Sequence, residues 1–371
     1  MSTRVVKAGG FDHVEPVFLG GGHPVVIQTM WKDRLSASDL DGKAGEDTVA
    51  RIEGLKAMGC GLLRFAVPDE AAAELVGRLA SMVSLPLSAD IHFDYRIALR
   101  CLDFPVAKIR INPGNIGGRE RVDAVLAKAA SRKVPIRIGV NAGSLPRDLR
   151  DAVKGGLDRA DALVRAAERE LAVCDDFGFH DAVVSMKASS MSETVRANRM
   201  LASRTGSPLH IGVTEAGPLV AGVVRNTGAI LALLGEGIGD TIRVSLSDAM
   251  ENEVIAGREI LAAAGDLSGA VPAGRFGGGG VRIVSCPRCG RHGFDTLGFT
   301  GRWLSRLYAM DKNVTVAIMG CAVNGPGEAA HADIGITGAG EKVLIFRHGE
   351  VIRTIDASAA DAAFGEELEK L

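Results

Sequence analysis

The stretch AKIRINPGNIGGRERVDAVLAKAASRKVPIRIGV, residues 107–140, decides the fold. It opens on a short β-branched run and breaks at a turn rich in proline and glycine. An alanine-rich segment follows, with apolar residues recurring at three and four, and a second β-branched run ends it. Strand, helix and strand in that order pair in parallel through a right-handed crossover. The theme recurs through the first two-thirds of the chain. Strand-like runs stand at VVIQTM (25–30), LLRFAV (62–67), LSADIH (87–92), AKIRIN (107–112), IRIGVN (136–141), AVVSMKA (182–188), LHIGVTE (209–215) and TIRVSL (241–246). Helical segments such as DEAAAELVGRLASMV and LDRADALVRAAERELAVCDDFG lie between them. Eight such units predict an α/β fold of the closed (β/α)8 TIM type; an open doubly wound sheet is the alternative.

Past Ala264 the composition changes to DLSGAVPAGRFGGGG (266–280), a stretch of the kind that joins domains. A barrel over residues 1–265, a linker over 266–280 and a small α+β domain over 281–371 are therefore expected. The last contains the apolar runs VRIVSC (281–286), VTVAIMG (314–320) and KVLIFRHG (342–349) and the helical GFTGRWLSRLYAM (298–310).

The chain is 371 residues long, 47% hydrophobic and 24% charged with a net charge of −2, which describes a globular protein with a real core. Charges of both signs are interspersed, against a nucleic-acid or membrane-surface partner, and no apolar run reaches the length of a spanning helix. The opening residues lack a secretory pattern, so a cytoplasmic protein is expected.

In a parallel barrel the residues that act on a ligand stand at the C-terminal strand ends. Here those ends carry Arg64, Asp90, His92, Arg110, Asn112, Arg137, Asn141, Lys187, His210, Glu215, Arg243 and Ser245. Arg110 and Asn112, Asp90 and His92, and Arg243 and Ser245 are each two apart and share a strand face. Any one of these has a bland reading as a structural ion pair. Taken together, four arginines and a lysine outnumber the carboxylates, and buried cations need an anionic partner, which bidentate arginine geometry matches to phosphate.

The other concentration of chemistry is sulfur. Of six cysteines, Cys60, Cys101 and Cys174 stand alone in apolar or helical contexts and read as core residues. Cys286-Pro-Arg-Cys289 puts two thiols on one turn, and Cys321 opens the turn CAVNGPGE after an apolar run. That spacing serves a zinc site and an iron–sulfur cluster alike. Glu328, His292 and His331 are the nearby candidates for a fourth ligand.

Read together, ADIHFDYRIAL (89–99), RINPGNIG (110–117), PIRIGVNAGSL (135–145), VTEAG (213–217), EGIGDTIRVSL (236–246), SCPRCGR (285–291) and GCAVNGPGEA (320–329) resemble the 4-hydroxy-3-methylbut-2-enyl diphosphate synthase family in its bacterial two-domain form. These are iron–sulfur oxidoreductases of the methylerythritol phosphate route to isoprenoids. The resemblance implies a [4Fe–4S] cluster on Cys286, Cys289, Cys321 and Glu328. It implies a small cyclic diphosphate substrate, 2-C-methyl-D-erythritol 2,4-cyclodiphosphate, opened and dehydrated with two electrons from ferredoxin or flavodoxin. Arg64, Arg110, Arg137, Lys187 and Arg243, with Asn141, Ser245 and His210, would hold the diphosphate. Asp90, His92 and Asn112 would lie near it, and Glu215 would deliver a proton. A head-to-tail homodimer is implied as well. One departure stands out: where the family commonly reads QSMTNT, this chain has Gln28-Thr-Met-Trp-Lys-Asp33, with Trp31 and Lys32 in place of small polar residues. On the residues alone, a zinc-stabilised barrel lyase or isomerase acting on a phosphosugar is the alternative.

Overall fold

β-Branched runs of six or seven residues, each closed by a polar turn, give the eight barrel strands of the first unit, and the alanine-rich amphipathic stretches between them give its helices. The computed structural model describes residues 3–11, 13–267, 273–277, 280–321 and 325–371. The chain divides into two units, Met1–Gly277 and Gly278–Leu371.

The first unit opens with a small antiparallel hairpin of β1 (Val6–Ala8) and β2 (Val17–Leu19). Eight parallel strands follow: β3 (Val26–Met30), β4 (Cys60–Ala66), β5 (Leu87–Asp90), β6 (Lys108–Ile111), β7 (Ile136–Asn141), β8 (Ala182–Lys187), β9 (His210–Ile211) and β10 (Thr241–Ile242). They pair in the order β8-β7-β6-β5-β4-β3-β10-β9. A parallel bridge between Val184 and Leu209 brings the two ends together, with the Val184 N–H donating to the Pro208 carbonyl at 2.9 Å. The result is the TIM-type barrel. Val6, Ala8 and Leu19 of the hairpin pack on Leu62, Ala107 and Val183 near the starts of their strands, which plugs the N-terminal end and leaves the other for function.

Helix starts follow the capping rules. The Asp158 carboxylate accepts from the Ala160 and Asp161 N–H groups at the head of the helix Arg159–Phe177, and Gly178, at φ +79°, ends it. Two strands are shorter than their sequence runs. The run 209–215 stops pairing after Ile211, where Gly212 takes φ +144°, and the run 241–246 stops after Ile242. The released residues become loops of the C-terminal face.

The stretch read as a linker is partly built into this unit, and residues 268–272 and 278–279 lie outside the described residues. The helix Met250–Leu267 runs past residue 265, and Arg275 donates to the Gly237 and Gly239 carbonyls at 2.6 and 2.8 Å and to Asp240 at 2.8 Å.

The second unit is a five-stranded sheet of β11 (Arg282–Ser285), β12 (Thr315–Met319), β13 (Ile334–Ala339), β14 (Lys342–Arg347) and β15 (Glu350–Asp356). Its first three strands are parallel and its last three antiparallel. The helices Thr296–Tyr308 and Ala360–Glu369 cover one face, where Phe299, Trp303 and Phe364 pack over Val316, Ile318 and Ile334. Phe364 meets both other rings edge-on at 5.3 and 5.1 Å, worth about 0.5–1.5 kcal/mol per pair beyond area burial. No helix among the described residues is long and apolar enough to cross a membrane.

Candidate functional site

The C-terminal end of the barrel gathers charge. Arg64 leaves β4, Asp90 ends β5, Arg110 stands on β6 beside Arg137 on β7 in register, and Lys187 ends β8. The Asp90 carboxylate accepts from Arg110 Nη1 at 3.1 Å and faces Arg64 Nε at 3.5 Å. His92, just past β5, places Nε2 2.9 Å from the same Arg110 nitrogen. Arg110 Nη2 donates to the Gly139 carbonyl at 3.1 Å, and the guanidinium lies over Gly139, where a Cβ would fall 2.3 Å from Nε. Arg137 donates to Ser185 Oγ at 3.1 Å.

Lys187 Nζ lies 3.0 Å from His210 Nε2, and His210 Nδ1 lies 3.2 Å from Thr241 Oγ1. His210 is 0% exposed, and its contact toward the strand ends is Lys187. Gly212 permits this closeness: a Cβ there would sit 3.3 Å from Lys187 Nζ and 2.3 Å from the Arg243 carbonyl.

These cations repel one another. Burial, then the neighbouring arginines, pushes Lys187 and Arg137 well below their ordinary ranges. Arg64 falls to about 10, again through burial, with Arg243 and Arg110 adding to the effect against Asp90. Burial lowers His92 too, with Arg110 next. Asp90 stays below the usual carboxylate range although burial opposes it, because Arg64 and Arg110 outweigh the penalty. The Nε atoms of Arg110 and Arg137 are buried without a hydrogen-bond partner among the described residues. Buried cations in excess of their counterions, with donors to spare, have the chemistry that a compact polyanion can match.

Not every residue named from the sequence turns into the mouth. Asn112 lies beyond the end of β6 and faces the helix Arg159–Phe177, its amide nitrogen 2.8 and 3.1 Å from the Glu170 oxygens. Glu170 also accepts from the Gly114 N–H at 2.7 Å, so it ties down the NPGNIG turn. The alternation that put Asn112 on the face of Arg110 ends with the strand. Ser245 likewise follows the end of β10 and is half-buried. Asn141 ends β7 opposite Lys187. Glu215 is exposed and sits at φ +51°, in the turn that its position out of phase with His210 requires.

Two participants escaped the sequence reading. Lys108, fully buried one layer beneath Arg110, donates to Gln28 Oε1 at 3.0 Å. Glu253, on the helix Met250–Leu267, accepts from Arg243 Nε and Nη2 at 3.0 and 3.1 Å, and from Lys32. Lys108 sits inside a quoted strand, where alternation from Arg110 points to it. Glu253 is an ordinary glutamate in an amphipathic helix, without a signal of its own.

In the second unit, β11 and β12 end side by side. The Cys286 N–H donates to the Ile318 carbonyl at 3.0 Å, and a Cβ on Gly320 would stand 3.6 Å from Cys286 Sγ. Cys286 is half-buried, Cys289 exposed and Cys321 buried. His292 is engaged elsewhere, its Nδ1 2.7 Å from the Cys289 carbonyl and its Nε2 3.1 Å from Arg288 Nη2. Glu328 is exposed at the end of the turn Gly325–Glu328, and residues 322–324 lie outside the described residues. Among the described residues no three His, Cys, Asp or Glu side chains are grouped around a single metal-ion position. Three thiols on neighbouring strand-end turns fit a thiolate-held cluster, whose ligands sit on separate irons and need not converge on one point.

A closed parallel barrel with a polycationic mouth, followed by a small unit bearing three thiols, defines a two-unit barrel protein built to handle a small anion. The chain belongs to the GcpE family: the GcpE TIM-barrel domain matches residues 12–258 and the GcpE protein C-terminal domain residues 282–370. It is 50% identical to the 4-hydroxy-3-methylbut-2-en-1-yl diphosphate synthase (flavodoxin) of Treponema pallidum (strain Nichols), across 100% of this chain and 92% of that one. The protein of the same name from Treponema denticola is 47% identical over 99% and 98% of the two chains, and that of Clostridium perfringens 42% over 95% and 94%. A dihydropteroate synthase from Xanthomonas albilineans superposes on 67% of this chain and 96% of its own with a TM-score of 0.44 at 16% identity.

Proposed function

We propose that this chain is a 4-hydroxy-3-methylbut-2-en-1-yl diphosphate synthase, converting 2-C-methyl-D-erythritol 2,4-cyclodiphosphate to the linear allylic diphosphate with flavodoxin as electron donor. The observation that carries the reading is the set of buried, under-partnered guanidinium groups at the barrel mouth, in a chain so similar to enzymes of that name. Overall, the substrate takes up two electrons and a proton, one ring C–O bond to phosphate breaks, and an oxygen leaves as water.

Arg64, Arg110, Arg137, Lys187 and Arg243 bind the two phosphates, and Asn141 and Ser245 lie at the rim to orient them. Asp90 and His92 brace Arg110, which limits the freedom the arginine must give up when it meets an anion. His210 accepts from Lys187 and so keeps that amine's protons directed. Glu215, exposed on its turn, is the candidate to hand a proton to the departing hydroxyl. Cys286, Cys289 and Cys321, with Glu328 as the more exchangeable fourth ligand, would hold a [4Fe–4S] cluster. When bound, such a cluster supplies electrons one at a time. A head-to-tail homodimer, in which one subunit's C-terminal unit serves its partner's barrel, and a cytoplasmic location complete the proposal.

Binding of the cyclodiphosphate tests the mouth directly. Arg110→Ala and Arg137→Ala should each cost about 1.5–3 kcal/mol of affinity, a rise in Kd of tenfold or more, because each removes charged hydrogen bonds from a buried site. Unchanged Kd in both variants would mean that the anion binds elsewhere.

A further inference from the structure

The carboxylate of Glu253 is 0% exposed, yet it stands among the cations of the mouth and collects donors from four places in the chain. Thr29 Oγ1 donates to it at 2.7 Å and the Leu246 N–H at 3.0 Å. Arg243 grips it with two nitrogens at 3.0 and 3.1 Å, and Lys32 Nζ donates to the same carboxylate while also reaching the Leu246 carbonyl at 2.9 Å. Burial pushes Glu253 upward, but the Arg243 charge and the hydrogen bonds from Arg243, Lys32 and Leu246 hold it below the ordinary range, so it is an anion.

Glu253 lies ten residues after Arg243, on the helix that follows β10, whereas Thr29 and Lys32 come from the end and exit of β3. One carboxylate therefore ties together the two neighbouring strand ends. Its grip occupies Nε and Nη2 of Arg243 and leaves Nη1, 3.7 Å from Met30 Sδ, as the nitrogen not committed to Glu253. Lys32 is the departure from the family's small polar residues, and its side chain keeps 28% exposure at this face. A flexible ammonium at that place needs a fixed counterion to hold it in one position, and Glu253 is that counterion.

We infer that Glu253 is a positioning residue of the anion site: it seats Arg243 and Lys32 in the geometry that receives a phosphate, and Lys32 is an additional phosphate-facing cation of this chain. The inference rests on the proposed reading of the mouth as a diphosphate site.

The sign of one measurement separates positioning from simple charge. Glu253→Gln removes a negative charge beside the anion, so Coulomb attraction alone makes anion binding tighter. Positioning makes it weaker, because the amide nitrogen would face a donor and Arg243 and Lys32 would lose their seat. Binding is followed by calorimetry with the full-length protein, using the cyclodiphosphate and, separately, inorganic pyrophosphate. The expected result is a Kd about tenfold higher for Glu253→Gln with either probe, the scale of one charged hydrogen bond. Arg243→Lys is the second variant, which keeps every charge but cannot make the two-pronged contact, and it should weaken binding by a similar factor. Lys32→Met should weaken binding while its melting temperature stays near that of the unmodified protein. Equal or tighter binding by Glu253→Gln overturns the inference; if that variant does not fold, unmodified affinity in Arg243→Lys overturns it instead. An unmodified protein that binds neither probe contradicts the diphosphate reading itself, whereas one that binds pyrophosphate alone narrows the failure to the substrate and leaves the role of Glu253 open to the same sign test.

Discussion

His210 shows how the mouth stores its own instability. Burial, and then the charges of Lys187, Arg137, Lys108 and Arg64, press its pKa in the folded chain well below 6.5. Between that depressed value and about 6.5 the unfolded chain binds a proton that the folded chain refuses, so stability must fall as pH falls below about 6.5, by up to about 1.4 kcal/mol per pH unit for one such group. Lys108 and Lys187, pushed down chiefly by burial, act in the same direction from higher pH. Asp90 and Glu253, held below the carboxylate range, titrate beneath this window. The melting temperature of the ligand-free protein should therefore drop between pH 7.5 and pH 5.5, and His210→Gln should flatten the slope; a flat profile in the unmodified protein contradicts the burial of a neutral imidazole. At this scale most of the mouth was legible, because an arginine or lysine in an apolar strand announces a cost that something must offset. Asn112 misled because its alternation with Arg110 stops where the strand stops, and Glu253 stayed hidden because a helix glutamate becomes informative only when its four sets of donors are known in space.

Among the elements, β7 is the clearest case of a strand shaped for a neighbour's side chain. Gly139 stands between Ile138 and Val140, and its missing side chain is where the Arg110 guanidinium lies. Gly139→Ala should thus displace Arg110 while leaving the ladder intact, since alanine is tolerated in a strand and the clash is with the far end of a flexible chain. A Kd for pyrophosphate raised by roughly tenfold, with a nearly unchanged melting temperature, is the expected result; native affinity would show that Arg110 does not bind from this pose. All eight barrel strands were readable from alternating β-branched runs, as were the helices between them. The lengths of β9 and β10 were not: in the run of β9 the backbone turns at Gly212, φ +144°, and Glu215, φ +51°, and β10 stops after Ile242 within a run that alternates to its end. Arg275 was hidden in a glycine- and proline-rich stretch whose composition says linker although its guanidinium is tied to three groups of the barrel.

At the scale of the whole chain, two units carry two chemistries, cations in one and thiols in the other, and the family matches fall on each in turn. The division was visible in the sequence as a change from strand–helix repeats to a short α+β pattern with clustered cysteines. The choice between zinc and an iron–sulfur cluster was not, since Cys-x-x-Cys and a distant third cysteine suit both. The family resemblance decided it, and with it the claim that this protein reduces a cyclic diphosphate. The most direct test is anaerobic turnover: protein made without oxygen, carrying about four iron and four sulfide per chain, is mixed with reduced flavodoxin and 2-C-methyl-D-erythritol 2,4-cyclodiphosphate. The expected result is stoichiometric formation of the linear 4-hydroxy-3-methylbut-2-enyl diphosphate, dependent on the reductant. Stoichiometric zinc without acid-labile sulfide, together with an untouched cyclodiphosphate, would contradict it.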